Sequence, residues 1–248
     1  MWSIGELKMR GKLAMKANYW AAVLVALVLG AATRGQYGMT MRITPQNVDI
    51  DVDPESVKTF LMEHPELVLA AVGIFSTAML ISMLFKILVF NPVQVGCWNF
   101  YIRNSFGQGR LEDMKEGFRS WGEKALTMFL KDLFIFLWSL LFLIPGIIKG
   151  YSYMMVPFLL AENPGLSGTE VLRRSQEMMR GQKWNAFMLD LSFLGWDLLA
   201  ILTCGILWVF YVNPYRNCTR AELYIRLRSM QPPYGQWQQN DPQQMQWQ

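Results

Sequence analysis

Apolar residues in this chain do not alternate with polar ones as they would in a soluble core; they gather in long blocks. The clearest is 129–150, FLKDLFIFLWSLLFLIPGIIKG, and another begins at Tyr153. About 20 such residues in helical form cross a hydrocarbon layer of about 30 Å. The pattern therefore predicts an all-α, polytopic membrane helix bundle. The blocks are 18–33, 67–90, 125–144, 146–161 and 184–212. The last is too long for one ordinary span, and Thr203-Cys204-Gly205 offers a break, so it reads as two helices joined by a tight turn. Six spans result, the short fourth one carrying Lys149 near its start.

Lys and Arg placement orients these spans, because cytoplasmic loops carry an excess of both. Lys8, Arg10, Lys12 and Lys16 precede the first block; Arg103, Arg110, Lys115, Arg119 and Lys124 lie between the second and third. Arg173, Arg174, Arg180 and Lys183 precede the fifth, and Arg216, Arg220, Arg226 and Arg228 follow the last. With six spans all four groups share one side. The more acidic 34–66 loop falls on the other, so both termini are expected in the cytoplasm. Five spans would put the C-terminal arginines outside. The first block also has the basic flank and small-residue end of a cleaved signal peptide; an uncleaved first span does the same targeting work and is preferred.

A repeat runs through the blocks. A basic amphipathic segment leads into each odd-numbered span: Met15 to Ala21, Ser120 to Ala125, and Arg180 to Ala186. Trp and Lys suit the headgroup level. Asn91-Pro92 closes the second span and Asn213-Pro214 the sixth. Each is followed by a cysteine and a Tyr-Ile-Arg: Cys97 with Tyr101-Ile102-Arg103, and Cys218 with Tyr224-Ile225-Arg226. Pro157 lies within the fourth span. Three helical hairpins related as a parallel repeat are expected, against the simpler reading that Trp, Pro and Arg collect at membrane interfaces anyway.

Ionisable residues inside spans are costly and mark function or packing. Asp190 and Asp197 share a helix face in the fifth span. Lys86, Lys131 and Asp132 are expected near the depth of Asp190, and Lys149 is expected to approach Asp197 from outside. These six form a candidate intramembrane polar network: a proton or ion path on one reading, ion pairs and snorkelling lysines that fix packing on the other, favoured one. Residues 168–180 read as an amphipathic helix, with Ser167 as N-cap and Glu170 three residues on. It is expected in the cytoplasmic interface, with Arg173, Arg174, Arg180 and Lys183 facing anionic lipid; a partner-binding helix is the alternative.

Composition narrows the rest. Hydrophobic residues reach 52% and charged ones only 17%, as expected for one membrane domain over residues 1–230, followed by a disordered Gln-, Pro- and Trp-rich cytoplasmic tail, 231–248. Asp49, Asp51 and Asp53 alternate as in a calcium loop, but Pro54 and Phe60 occupy the positions of its Gly and closing Glu. The single histidine, His64, cannot form a histidine-based metal cluster, and Gly107-Gln108-Gly109 lacks the lysine and the preceding strand of a phosphate loop. Cys97, Cys204 and Cys218 have no zinc or redox spacing and read as small packing residues. No catalytic residue, metal, cofactor or nucleic-acid partner is expected; membrane lipids, a protein partner or a second copy of the chain are.

A last set of residues falls within 157–224: Pro157 to Leu160, Ser175 to Met179 with Gly181 and Lys183, and Ser192-Phe193 with Gly195-Trp196. Thr203, Gly205, Pro214-Tyr215, Ala221 and Tyr224 complete it. In these residues the stretch resembles an uncharacterised bacterial membrane family, domain of unknown function 975. The resemblance implies a multi-pass helical protein of the bacterial plasma membrane with no settled activity. It is also distantly similar to the membrane portion of some glycerophosphodiester phosphodiesterases, from which no catalytic residue carries over. Two functions are then expected: a non-enzymatic membrane protein that binds lipid or a partner in the cell envelope, or a small transporter or channel using the intramembrane carboxylates.

Overall fold

A computed structural model describes residues 2–34, 62–163, 165–166 and 168–231, and every regular element among them is helical. Helix α1, Ile4–Ala17, is opened by Ser3, whose hydroxyl oxygen accepts the Glu6 N–H at 3.1 Å. Asn18 leaves the helical region, and the chain turns by 106° into α2, Tyr19–Arg34. The Asn18 amide holds that corner by donating to the Gly109 carbonyl at 2.9 Å.

Helix α3, Pro65–Phe85, passes through a π turn at Lys86–Phe90 into α4, Asn91–Ser105. Pro92 explains the wider turn: it has no N–H, and its ring crowds the carbonyl four residues back. That carbonyl, on Leu88, accepts the Trp121 indole N–H at 2.6 Å. The same device recurs at the other end of the chain. A π turn at Trp208–Val212 leads into α11, Asn213–Ser229, with Pro214 at its start. The Phe210 carbonyl, four residues before Pro214, accepts the Tyr19 hydroxyl at 2.9 Å.

Between these lie a 3₁₀ segment, Leu111–Phe118, and α5, Trp121–Leu141, which turns at Phe142 into α6, Leu143–Ser152. Then come α7, Val156–Glu162, α8, Gly168–Met178, α9, Lys183–Leu191, and α10, Leu194–Leu202. The turn after α10 uses Cys204 and Gly205, both at positive φ (51° and 85°), where glycine is the unstrained residue.

The core lies among α1, α4, α7, α8 and α11. Phe158 stacks on Tyr224 with ring centroids 5.1 Å apart and touches Trp98 at 4.2 Å. Tyr101, fully buried, donates its hydroxyl to the Ala22 carbonyl at 2.9 Å. Gly11 lets α1 lie directly on α11, since a Cβ there would come within 2.8 Å of the Thr219 backbone. Buried asparagines on α4 and α11 clasp the first two helices: Asn104 donates to the Ala14 carbonyl at 2.8 Å, and Asn213 to that of Ala26 at 3.0 Å. Each such bond contributes about 1 kcal/mol net, but leaving either buried group unpaired would cost more.

Outside this core the surface is apolar. Leu69, Ile74 and Phe75 on α3 are each 73% exposed, and Leu140 and Ile201 at hairpin tips are 75% and 74%. Patches of this extent mark a surface that meets something apolar. Among the described residues, three helical stretches are long and apolar enough to cross a membrane: Pro65–Ser105, Ile144–Glu162 and Lys183–Leu202. The bent pair of α1 and α2 makes a fourth if it is one broken span. Length and composition alone thus give three or four spans where the sequence predicts six. Helix α5 carries Glu123, Lys124, Lys131 and Asp132, and the last return is apolar only as far as Val212 before the polar start of α11.

Several expectations change. The fourth block keeps the length of a span, Ile144–Glu162, but a turn before Val156 divides it into α6 and α7, and Val156 to Ala161 are buried. The apolar face of α8 (Val171, Leu172, Met178) packs into the protein core and not into the lipid interface. Lys124, expected at headgroup level, is buried and donates to the Glu116 carbonyl at 2.6 Å. Cys97 and Cys218 are buried as expected, whereas Cys204 is exposed. The acidic loop with Asp49, Asp51 and Asp53, the cap at Ser167, and the tail from residue 232 lie outside the described residues.

Candidate functional site

The last helical hairpin carries the candidate site. Two carboxylates on its first arm, made of α9 and α10, meet two arginines one helical turn apart on α11. Asp190 Oδ1 accepts from Arg220 Nη2 at 2.9 Å and from its Nε at 3.3 Å. Asp190 Oδ2 accepts the Tyr151 hydroxyl of α6 at 3.2 Å. Asp197 Oδ2 accepts from Arg216 Nη2 at 2.5 Å. The expected single fifth helix is interrupted at Ser192-Phe193, yet both aspartates still point to α11.

Phe193 sits at that interruption. Its ring lies 5.3 Å from the Arg216 guanidinium and 4.5 Å from Lys8 Nζ. Lys8 also donates to the Ser192 carbonyl at 3.0 Å, tying α1 to the hairpin. Cations placed over an aromatic face are attracted by its quadrupole.

Each pair borders a cavity. One of about 790 Å³ reaches Asp197 and Arg216 and is walled by Ile201, Ile206, Val209 and Phe210, with Cys204 at its rim. The other, about 380 Å³, lies between α6 and the Asp190–Arg220 pair, with Ser139 and Gly146 opposite.

The remaining predicted network is divided. Lys86 and Lys131 both pair with Asp132, at 3.1 and 3.2 Å, and form a separate cluster where α5 meets the first π turn. They make this ion pair instead of snorkelling. Lys149 does not approach Asp197; its ammonium lies over the Trp138 ring at 5.0 Å and near Tyr153 at 5.8 Å. Of the basic residues expected to face lipid, Arg173 and Arg180 are exposed, while Arg174 and Lys183 are half-buried. His64 pairs with Glu66 at 3.2 Å. Among the described residues no three of His, Cys, Asp and Glu stand close enough to share a metal ion.

Sequence reasoning missed Arg216, Arg220 and Tyr151, having counted the two arginines as cytoplasmic flank. A signal was present in part: the chain returns past Asp190 and Asp197 on an arm that carries Arg216 and Arg220. A second set was also missed. Arg10 bonds Glu222 at 2.8 Å, and Glu162 takes both Arg228 and the Tyr224 hydroxyl, the latter at 2.6 Å.

Comparison with known proteins gives a family and no activity. Neither curated proteins nor solved structures returned a match, and the likeness to glycerophosphodiester phosphodiesterases is not shown. A family model described as "Protein of unknown function (DUF975)" matches residues 11–231. The match covers far more than half of the chain and includes most of the core and both aspartate–arginine pairs, and by it this protein belongs to the DUF975 family.

Proposed function

We propose that this is a non-enzymatic integral protein of the bacterial plasma membrane that binds lipid or a protein partner in the cell envelope, with anionic lipid around its basic face. In this reading the chain crosses six times as three related hairpins, with both termini in the cytoplasm. The paired π turns, each before an Asn-Pro and each with an aromatic donor on the carbonyl four residues before the proline, support the repeat. The apolar exposed faces of α3, α5 and α10 support the bilayer.

One observation carries the functional choice. Asp190, Asp197 and Asp132 are each taken by arginine or lysine, with Tyr151 added at Asp190. Carboxylates held in this way set helix packing, whereas a proton or ion path needs them to face water and to change state. Transport remains the second reading because the larger cavity reaches Asp197.

Thiol accessibility in intact cells separates the two. In proteins that keep a single cysteine, with the other native cysteines replaced, Cys204 is expected to label from outside with a membrane-impermeant reagent, and Ser229→Cys only after permeabilisation. External labelling at Ser229→Cys would overturn six spans. With topology fixed, Asp190→Cys is expected to stay silent, and the purified protein is expected to retain anionic phospholipid in native mass spectrometry. Ready labelling at Asp190→Cys, with no lipid retained, would move the assignment to transport.

A further inference from the structure

The two aspartate–arginine pairs look alike but are not equally satisfied. Asp190 uses both oxygens, taking two guanidinium N–H groups on one and the Tyr151 hydroxyl on the other. Asp197 accepts at Oδ2 only, from a single Arg216 nitrogen, and its side chain is 32% exposed. Among the described residues Arg216 Nε is buried and has no hydrogen-bond partner. The less satisfied pair is the one at the larger cavity. The half-used carboxylate lines the cavity, where a ligand can take its second oxygen.

We infer that this cavity holds the head of a phospholipid carrying both a phosphate and a primary ammonium. The second oxygen of Asp197 suits the ammonium, and the part of the Arg216 guanidinium that stays accessible (its side chain is 20% exposed) suits phosphate oxygens, the acceptor arginine recognises best. The volume of about 790 Å³ falls within the range of small-ligand sites. Its walls favour a lipid over a free zwitterion: Ile201, Ile206 and Phe210 line the cavity and also belong to the exposed apolar surface, so acyl chains leaving the head meet apolar surface at once. Anionic lipid around the basic face and an amine-bearing lipid in this cavity occupy different places. This inference rests on the lipid-binding reading and narrows it to one site.

Cys204 supplies the test, because it is exposed and stands at the cavity rim. The full-length protein in detergent is titrated with phosphatidylethanolamine, phosphatidylcholine, phosphatidylglycerol or soluble phosphoethanolamine, and the alkylation rate of Cys204 and the thermal midpoint are followed. Phosphatidylethanolamine at ten times its Kd should slow alkylation about tenfold and raise the midpoint. The other two lipids, lacking the N–H donors or the positive charge, should do much less, and Asp197→Asn should abolish the preference. Should that variant not fold, the wild-type comparison of ethanolamine with choline lipid still decides, since the two heads differ only in the ammonium. Equal protection by all three lipids would overturn the headgroup site while leaving the lipid-binding reading standing. Equal protection by soluble phosphoethanolamine would overturn a lipid as the occupant. Retention of no lipid and protection by none would defeat both readings.

Discussion

At the scale of single residues, the chain resolves its charged side chains by pairing. A partly buried carboxylate facing arginine gains Coulomb energy that water would otherwise screen, and loses it abruptly if the partner is removed. The Asp190–Arg220 pair is about a quarter exposed (22% and 30%), so the full cost of breaking a buried pair, about 3–5 kcal/mol, does not apply. Arg220→Gln is expected to destabilise by about 1–2 kcal/mol, and Asp190→Asn by a similar amount. The double variant should recover part of the loss, because no unpaired charge remains. A double-mutant cycle from thermal or denaturant unfolding in detergent measures this, and strictly additive losses would mean that the pair is incidental. The Asp197–Arg216 pair should show weaker coupling without lipid, since it makes one bond where Asp190 makes three.

At the scale of elements, proline placement decides how helices continue. Pro92 and Pro214 each deprive a helix of one N–H, and in both cases the chain widens into a π turn. An aromatic side chain from another helix then reaches the carbonyl four residues back. Trp121→Phe removes the donor to the Leu88 carbonyl and is expected to cost about 1–2 kcal/mol. In a Pro92→Ala background the restored backbone N–H competes for that carbonyl, so the same substitution should cost less. A cycle over the two sites, read by unfolding, tests whether the indole serves as the proline's substitute donor. Equal losses in both backgrounds would show that Trp121 matters only as an interfacial ring. The Asn-Pro signals and the aromatic leads were visible in the sequence. Their physical connection was not, because it joins residues far apart in the chain: Trp121 to Leu88, and Tyr19 to Phe210.

At the scale of the whole molecule, hydrophobic blocks revealed the helical class and most element positions, but not which faces turn inward. Helix α8 has the amphipathic pattern of an interfacial helix, yet the protein core, not lipid, takes its apolar side. Periodicity names a face and cannot name what covers it. The core formed by α1, α4, α7, α8 and α11 also buries titratable groups outside the spans, and this gives the fold a pH limit. Burial pushes the Tyr224 hydroxyl well above its ordinary value of 10.0. Burial raises the Cys218 thiol above its ordinary 9.0, and Glu222 nearby pushes it the same way. Both groups are neutral when protonated, so the folded state holds its protons more tightly than the unfolded chain does. The unfolded chain therefore binds fewer protons above the ordinary values, and stability falls with rising pH there. The contribution is complete below about pH 9, declines as first thiol and then phenol ionise in the unfolded state, and is lost as pH passes the raised folded values. Thermal midpoints in detergent should stay level from neutral pH to about 9 and then drop. Tyr224→Phe should remove the phenolic part of that slope. The cost of the lost hydroxyl bond to Glu162 should then appear at every pH as a constant offset. A slope unchanged in Tyr224→Phe would assign the alkaline loss to other groups and leave Tyr224 as a packing ring only.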